Sequence, residues 1–112
     1  MPGRITEVIP KEFVGKTYYQ GEDAELEFWH YVDGTLTDPD TTFTVCVADP
    51  SGQITVVATT TLVKSTTGKY YYEYAIDSSA LLGTYKAQAT MVHDTTTSME
   101  GYGTFQVEAA VA

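Results

Sequence analysis

The strongest constraint on the fold is an alternating aromatic run in the second half of the chain. Every second residue of this run is large and apolar: Tyr70, Tyr72, Tyr74 and Ile76. A period of two places such side chains on one face of a β-strand. A short turn, 77–82, leads into a second alternating segment that begins with Gly83-Thr84-Tyr85. The pattern therefore predicts two successive strands joined by a corner.

Composition favours a single all-β domain. The chain has 112 residues, 43% of them hydrophobic, so one domain can bury a core without disulfides or metals. Nine Tyr accompany many Thr, and both residue types favour the pleated surface of a sheet. Cys46 is the only cysteine, so no internal disulfide can form. It lies in a strand pattern, where we expect an unreactive, half-buried thiol.

Further strands are predicted on both sides of the aromatic run. In the segment 24–31, two glutamates on one face set the phase, so that Trp29 and Tyr31 point outward with them. Asp49-Pro50-Ser51-Gly52 matches a type I turn and predicts a hairpin. The last strand is predicted from about Met99 to Val107.

The charge balance disfavours nucleic acid and membranes as partners. Fifteen acidic and six basic residues give a formal net charge of −9, and the basic residues are scattered singly. Binding a phosphate backbone needs clustered Lys and Arg. No stretch approaches the ~18 apolar residues of a membrane helix, and 1–12 lacks the apolar core of a signal peptide. We therefore expect protein partners.

No set of residues predicts catalysis or a cofactor. His30 ends one strand and His93 begins a loop, and neither has a catalytic spacing, so we expect no enzymatic activity. Three aspartates of one loop are weak candidates for binding calcium: Asp33, Asp38 and Asp40. Calcium accepts carboxylate oxygens in irregular loops, but the more usual role of such aspartates is to form turns.

Several turn and corner motifs resemble those of known sandwich domains. Gly83-Thr84-Tyr85 resembles the tyrosine corner of immunoglobulin-like (Ig-like) and fibronectin type III-like domains. The segments 19–23, 49–52 and 67–70 are similar to turns of bacterial and viral Ig-like modules, including macroglobulin-type domains. The resemblance carries over no active-site residue, and it implies a binding or structural module.

The resemblance implies an all-β fold, an Ig-like antiparallel β-sandwich of about seven strands in two sheets. The sandwich is expected over residues 13–108, preceded by an N-terminal arm or edge strand at 1–12. Residues 109–112 are expected to form a C-terminal tail. The paired cysteines of antibody domains are absent.

Two interaction surfaces are predicted. In an Ig-like sandwich the second strand pairs with the tyrosine-rich strand, which puts Tyr71 on the outer face with Trp29 and Tyr31. Grouped outer aromatics indicate an interface or a sugar-stacking platform, unless a loop or the N-terminal arm covers them. The second surface is the apolar part of the N-terminal arm, with Ile5, Val8 and Ile9.

Two functions are compatible with these features. The first is a structural protein of a virion, in a tailed phage or related virus, acting as a capsid decoration or head or tail accessory protein. Its partners would be other virion subunits or copies of itself, assembled in the host cytoplasm. Met1 as the start and the missing signal peptide favour this function. The alternative is an extracellular adhesion or carbohydrate-binding module of a larger cell-surface protein.

Overall fold

The fold is an all-β sandwich of two five-stranded sheets. The computed structural model describes residues 6–52, 57–93 and 97–110. The strands are β1 (Thr6–Pro10), β2 (Thr17–Tyr19), β3 (Asp23–Val32), β4 (Thr35–Leu36), β5 (Phe43–Ala48), β6 (Val57–Thr61), β7 (Val63–Thr66), β8 (Lys69–Ala75), β9 (Gly83–His93) and β10 (Thr97–Glu108). Over the described ranges there is no helix, and so none that could cross a membrane.

The two sheets are those of a sandwich, and β3 pairs with the tyrosine-rich strand β8 as expected. The first sheet has the order β1-β3-β8-β7, with β4 added to β3, and the second has the order β2-β10-β9-β5-β6. All pairs are antiparallel except β2 with β10. Ten strands are described instead of about seven, because β2 and β4 are very short and the chain between β5 and β8 forms two strands, β6 and β7.

The core lies between the sheets and follows the alternation of the sequence. In β3, the fully buried apolar residues are Ala24, Leu26 and Phe28, as predicted. In β9 they are Tyr85, Ala87, Ala89 and Met91. Phe13 lies in a turn, yet its ring is fully buried. It packs 5.4 Å from Phe28 and 6.0 Å from Phe105, so it joins the two sheets.

The chain crosses from one sheet to the other at Leu62. β6 pairs with β5 in the second sheet, whereas β7 pairs with β8 in the first. Leu62 lies between them and is only 2% exposed. Its N–H donates to the carbonyl oxygen of Phe43 at 2.8 Å. A buried leucine therefore anchors the crossing.

The N-terminal segment is an edge strand of the first sheet. β1 runs antiparallel to β3, with Val8 opposite His30 and Ile9 opposite Trp29. Pro10 is tolerated there because an edge strand has one side without ladder bonds. Ile5 lies outside the described residues. At the other end, residues 109 and 110 follow β10 and are exposed, and the last two residues of the predicted tail are not described.

Two turns shape the loops on either side of β5. Gly52 donates to the carbonyl oxygen of Asp49 at 2.9 Å, which confirms the predicted turn. Residues 53–56, which follow this turn, lie outside the described residues. Asp33 and Gly34 both have positive φ, 52° and 80°, and join β3 to β4. The polar loop predicted from Asp33 onward therefore begins as a tight hairpin, a known preference of Asp-Gly.

Candidate interaction surface

The predicted aromatic face lies on the outer side of the first sheet. Strand register places Ile9 and Lys69 on either side of Trp29, and Glu27 opposite Tyr71. Paired residues project from the same side of a sheet, so these side chains share a surface. We call it the Trp29 face, defined by Ile9, Lys11, Trp29, Tyr31, Lys69 and Tyr71.

Two lysines hold the indole ring of Trp29. The ammonium nitrogen of Lys69 lies 4.1 Å from the ring centroid, and that of Lys11 lies 4.4 Å from it. Each cation–π contact at such a site is worth about 0.5–1 kcal/mol. The Tyr31 ring lies 6.5 Å from the Trp29 ring and is tilted by 44°. The indole is therefore oriented by neighbours on three elements and is half-buried.

The indole N–H of Trp29 is an unmet donor. Its nitrogen Nε1 is buried and has no hydrogen-bond acceptor in the part of the chain that the structure describes. A buried indole N–H usually finds a partner, because leaving one unpaired costs free energy. The Trp29 face therefore combines two cations, an aromatic pair and one donor.

Charge and apolar exposure vary across this side of the sheet. Ile9 is 36% exposed, and Val63, opposite Tyr71 on β7, is 49% exposed. Farther along β3, Glu25 lies directly opposite Glu73 on β8, and both are exposed. Like charges in such a pair repel. Two of the six basic residues therefore lie at Trp29, and acidic residues lie on the same side of the sheet, with Glu27 opposite Tyr71 and Glu7 opposite Tyr31.

The structure separates the residues predicted for the two surfaces. Trp29, Tyr31 and Tyr71 are all half-buried on the outer face, next to Ile9. Val8 points the other way and is 9% exposed within the core. Its predicted place in an interface is therefore corrected, because alternation along β1 sends Val8 inward and Ile9 outward.

The aspartates considered for calcium have other contacts. Asp38 accepts from Lys64 Nζ at 2.7 Å, from the Gly68 N–H at 2.8 Å and from the Tyr70 hydroxyl at 3.2 Å. The hydrogen bonds from Lys64 and Gly68 hold the pKa of the Asp38 carboxyl below its usual value. Asp33 forms the β3–β4 turn, and Asp40 lies 3.7 Å from His93. Among the described residues, no group of three side chains is arranged to hold a metal ion.

Sequence reasoning missed the two lysines and the burial of both histidines. His30 is fully buried and His93 is 8% exposed, although the sequence suggested a strand end and a loop. Alternation was the available signal, since His30 continues the inward series of β3 and His93 that of β9. For Lys11 and Lys69 there was no local signal, because their contact with Trp29 depends on strand register.

Comparison with known proteins supports the fold. No protein-family profile matches the sequence, and no curated protein does. Among solved structures, the chain is similar to the crystal structure of the Lin-41 filamin domain, with a TM-score of 0.53 and 16% identity. The match covers 92% of this chain and 91% of that domain. At this identity the likeness concerns the fold alone, and the fold is an Ig-like β-sandwich.

Proposed function

We propose that this chain is a non-enzymatic interaction module that binds a partner protein through the Trp29 face. The observation that carries the proposal is the indole of Trp29, which two lysines contact and whose N–H has no acceptor among the described residues. Binding energy at interfaces concentrates on Trp and Tyr. An indole already fixed by its neighbours loses little conformational entropy on binding. A carbonyl or carboxylate of a partner would accept from the N–H.

The finer assignment is to a virion, as a capsid decoration or head or tail accessory protein of a tailed phage or related virus. It rests on the similarity of the turns at 19–23, 49–52 and 67–70 to those of bacterial and viral Ig-like modules. In this proposal the partners are other virion subunits or copies of this chain. Neighbouring genes for capsid, portal or tail proteins would support this assignment. A long multi-domain reading frame would count against it.

The contacts of Trp29 favour a protein partner over a carbohydrate. A sugar would stack on the flat face of an aromatic ring, and Lys11 and Lys69 lie over the ring of Trp29. The neighbouring Tyr31 is tilted by 44° against it, so the two rings do not form one platform. The alternative, a carbohydrate-binding or adhesion module at the cell surface, therefore becomes an outcome of the test.

Trp29 is the only tryptophan, so its fluorescence reports directly on the face. The products of neighbouring genes and a panel of glycans are titrated against the full chain. We expect a protein partner to change the emission. Trp29→Ala should weaken that binding by about 2 kcal/mol or more. Because Trp29 lies outside the core, the variant should remain folded by circular dichroism.

Tyr102 supplies a matched control on the other sheet. Its ring is 59% exposed and carries its own lysine, Lys86, at 4.2 Å. Tyr102→Ala should leave binding unchanged. Weaker binding by Tyr102→Ala but not by Trp29→Ala would move the interface to the second sheet and contradict the proposal. A fluorescence response to glycans alone would favour the carbohydrate-binding alternative.

A further inference from the structure

Two buried histidines face each other across one end of the sandwich. His30, near the end of β3, is fully buried, and His93, the last residue of β9, is 8% exposed. Their ring centroids are 5.9 Å apart and their planes are inclined by 47°. β3 and β9 belong to different sheets, so the pair bridges the sandwich.

Hydrogen bonding defines the tautomer of His30. Its Nδ1 lies 2.5 Å from the carbonyl oxygen of Thr37, which can only accept, so Nδ1 carries the proton. The other nitrogen, Nε2, is then a lone-pair site. It is buried, and no partner for it lies within the described residues. A second proton on this ring would therefore place a charge in the core without an acceptor, which is costly.

The groups around His30 offer little compensation for such a charge. β9 presents His93, and the segment 37–40 presents two carboxylates, those of Asp38 and Asp40. The Asp38 carboxylate is engaged by Lys64, Gly68 and Tyr70, while Asp40 lies 3.7 Å from His93. From β1 the residue paired with His30 is the apolar Val8, and from the β7–β8 turn the Gly68 carbonyl accepts the backbone N–H of His30.

Burial lowers the pKa of His30 below its usual 6.5, and His93 lowers it further. The hydrogen bond that the ring donates to the Thr37 carbonyl and the two carboxylates act in the opposite direction. The direction decides the sign of the pH effect. A state in which His30 is exposed binds the proton more strongly than the native state does. The native state therefore keeps its full stability relative to this exposed state above about pH 6.5, and it loses stability as the pH falls below that value.

Hydrogen bonds at Thr37, Asp38 and Asp40 tie the segment 37–40 over the pair. Thr37 donates to the carbonyl oxygen of His30 at 3.0 Å and accepts from its ring, while Asp40 donates to the carbonyl oxygen of Val92 at 2.8 Å. Releasing this segment breaks these bonds and the three that the Asp38 carboxylate accepts from Lys64, Gly68 and Tyr70, but it leaves the ladder between β3 and β8 intact. Lifting the segment would release the His30 ring from the Thr37 carbonyl and so open the ring to water.

We propose that the His30–His93 pair is an acid-sensitive latch: it keeps the segment 37–40 in place at neutral pH and releases it when the solution is acidic enough to protonate histidine. The equilibrium constant for opening rises by up to about tenfold per pH unit for each proton taken up. The opposite end of the sandwich, where Gly21 donates to the carbonyl oxygen of Ile76, contains no histidine and stays closed.

Amide hydrogen exchange on the full chain, followed by NMR from about pH 8 to about pH 5, tests the latch across the range of histidine titration. Rates are corrected for the intrinsic pH dependence of exchange. We expect the protection of the Thr37 and Asp40 amides to fall by up to about tenfold per pH unit below 6.5. The amides of Gly21 and Ile76 serve as internal controls and should keep their protection. Constant protection at Thr37 and Asp40, or equal loss at both ends, would overturn the proposal.

NMR titration of the histidine ring protons in the unmodified protein is a second test, and it needs no variant. A His30 pKa at or above 6.5 would overturn the latch. His93→Gln and His30→Gln should each reduce the acid-induced loss of protection at Thr37. If both variants fold and retain the full loss, carboxylates cause it and the proposal fails.

Discussion

The hydroxyl of Tyr85 donates a hydrogen bond of 2.7 Å to the carbonyl oxygen of Leu81, four residues earlier in the chain. The ring of Tyr85 is fully buried and stacks 5.5 Å from that of Phe105. One residue thus joins the loop between β8 and β9 to the core. The tyrosine corner predicted from Gly83-Thr84-Tyr85 is confirmed in its geometry.

Tyr85→Phe should lower the free energy of unfolding by about 1–2 kcal/mol, because the ring is kept and only the buried hydrogen bond is lost. Urea denaturation measures the change. Tyr102→Phe is the control, since Tyr102 is 59% exposed and should tolerate loss of its hydroxyl. Equal stability of the two variants would mean that the corner bond contributes nothing.

Gly101→Ala should destabilise the domain by about 1–3 kcal/mol through overpacking. A Cβ at Gly101 would lie against the backbone of Val8 and only 2.9 Å from its Cγ1, so β1 would have to shift. Thr104→Ala, at an exposed site of the same strand, is the control for thermal unfolding.

Deleting residues 1–10 should also destabilise the fold, because Val8 fills the core. An unaffected deletion variant would show instead that the segment is a dispensable arm.

Asp38→Ala should cost about 1–3 kcal/mol, because the buried Gly68 N–H and the Tyr70 hydroxyl lose their acceptor. Lys64→Met removes only an exposed ion pair and should cost less than about 1 kcal/mol. The pKa of Asp38 is lower in the native state than its ordinary value of 3.8. The ionised carboxylate therefore stabilises the fold above about pH 3.8, and this contribution is lost as the pH falls below that value. Chemical denaturation at several acidic pH values should show this loss in the unmodified protein and not in Asp38→Ala.

Alkaline unfolding should begin above about pH 10, where unfolded tyrosines ionise. Burial raises the pKa of both Tyr70 and Tyr74 to about 12, with Asp38 adding to the shift at Tyr70 and Tyr85 at Tyr74. The unfolded state loses these protons first, so stability falls as the pH rises through this range. Tyrosinate absorbance should show a late phase in the native protein, and Tyr74→Phe should reduce its amplitude. A single phase at the usual pKa would contradict the burial of both rings.

Local alternation was enough to predict which side of each long strand is buried. Tyr70 and Tyr74 point inward on β8, and Phe28 points inward on β3 while Trp29 points outward. The reason is that a strand places neighbouring side chains on opposite faces, so glutamates on one face determine the other. Turn chemistry is equally local, which is why the bond between Gly52 and Asp49 was foreseen.

The number of strands and the point at which the chain crosses between the sheets could not be predicted from local sequence patterns. Val63 and Thr61 differ little in sequence character, yet they belong to strands of different sheets. What separates them is the burial of Leu62 against the core, a contact that forms only when both sheets are present. The N-terminal segment became an edge strand for a similar reason, since Gly101 leaves room for Val8.

Residues that are neighbours along the chain were sufficient to predict the all-β class, the tyrosine corner and the outward phase of Trp29. Only the tertiary structure brought Lys69 and Lys11 to the indole of Trp29 and His93 to His30. Those contacts join residues far apart in sequence. They depend on strand register and on the packing of one sheet against the other, which the whole core decides together.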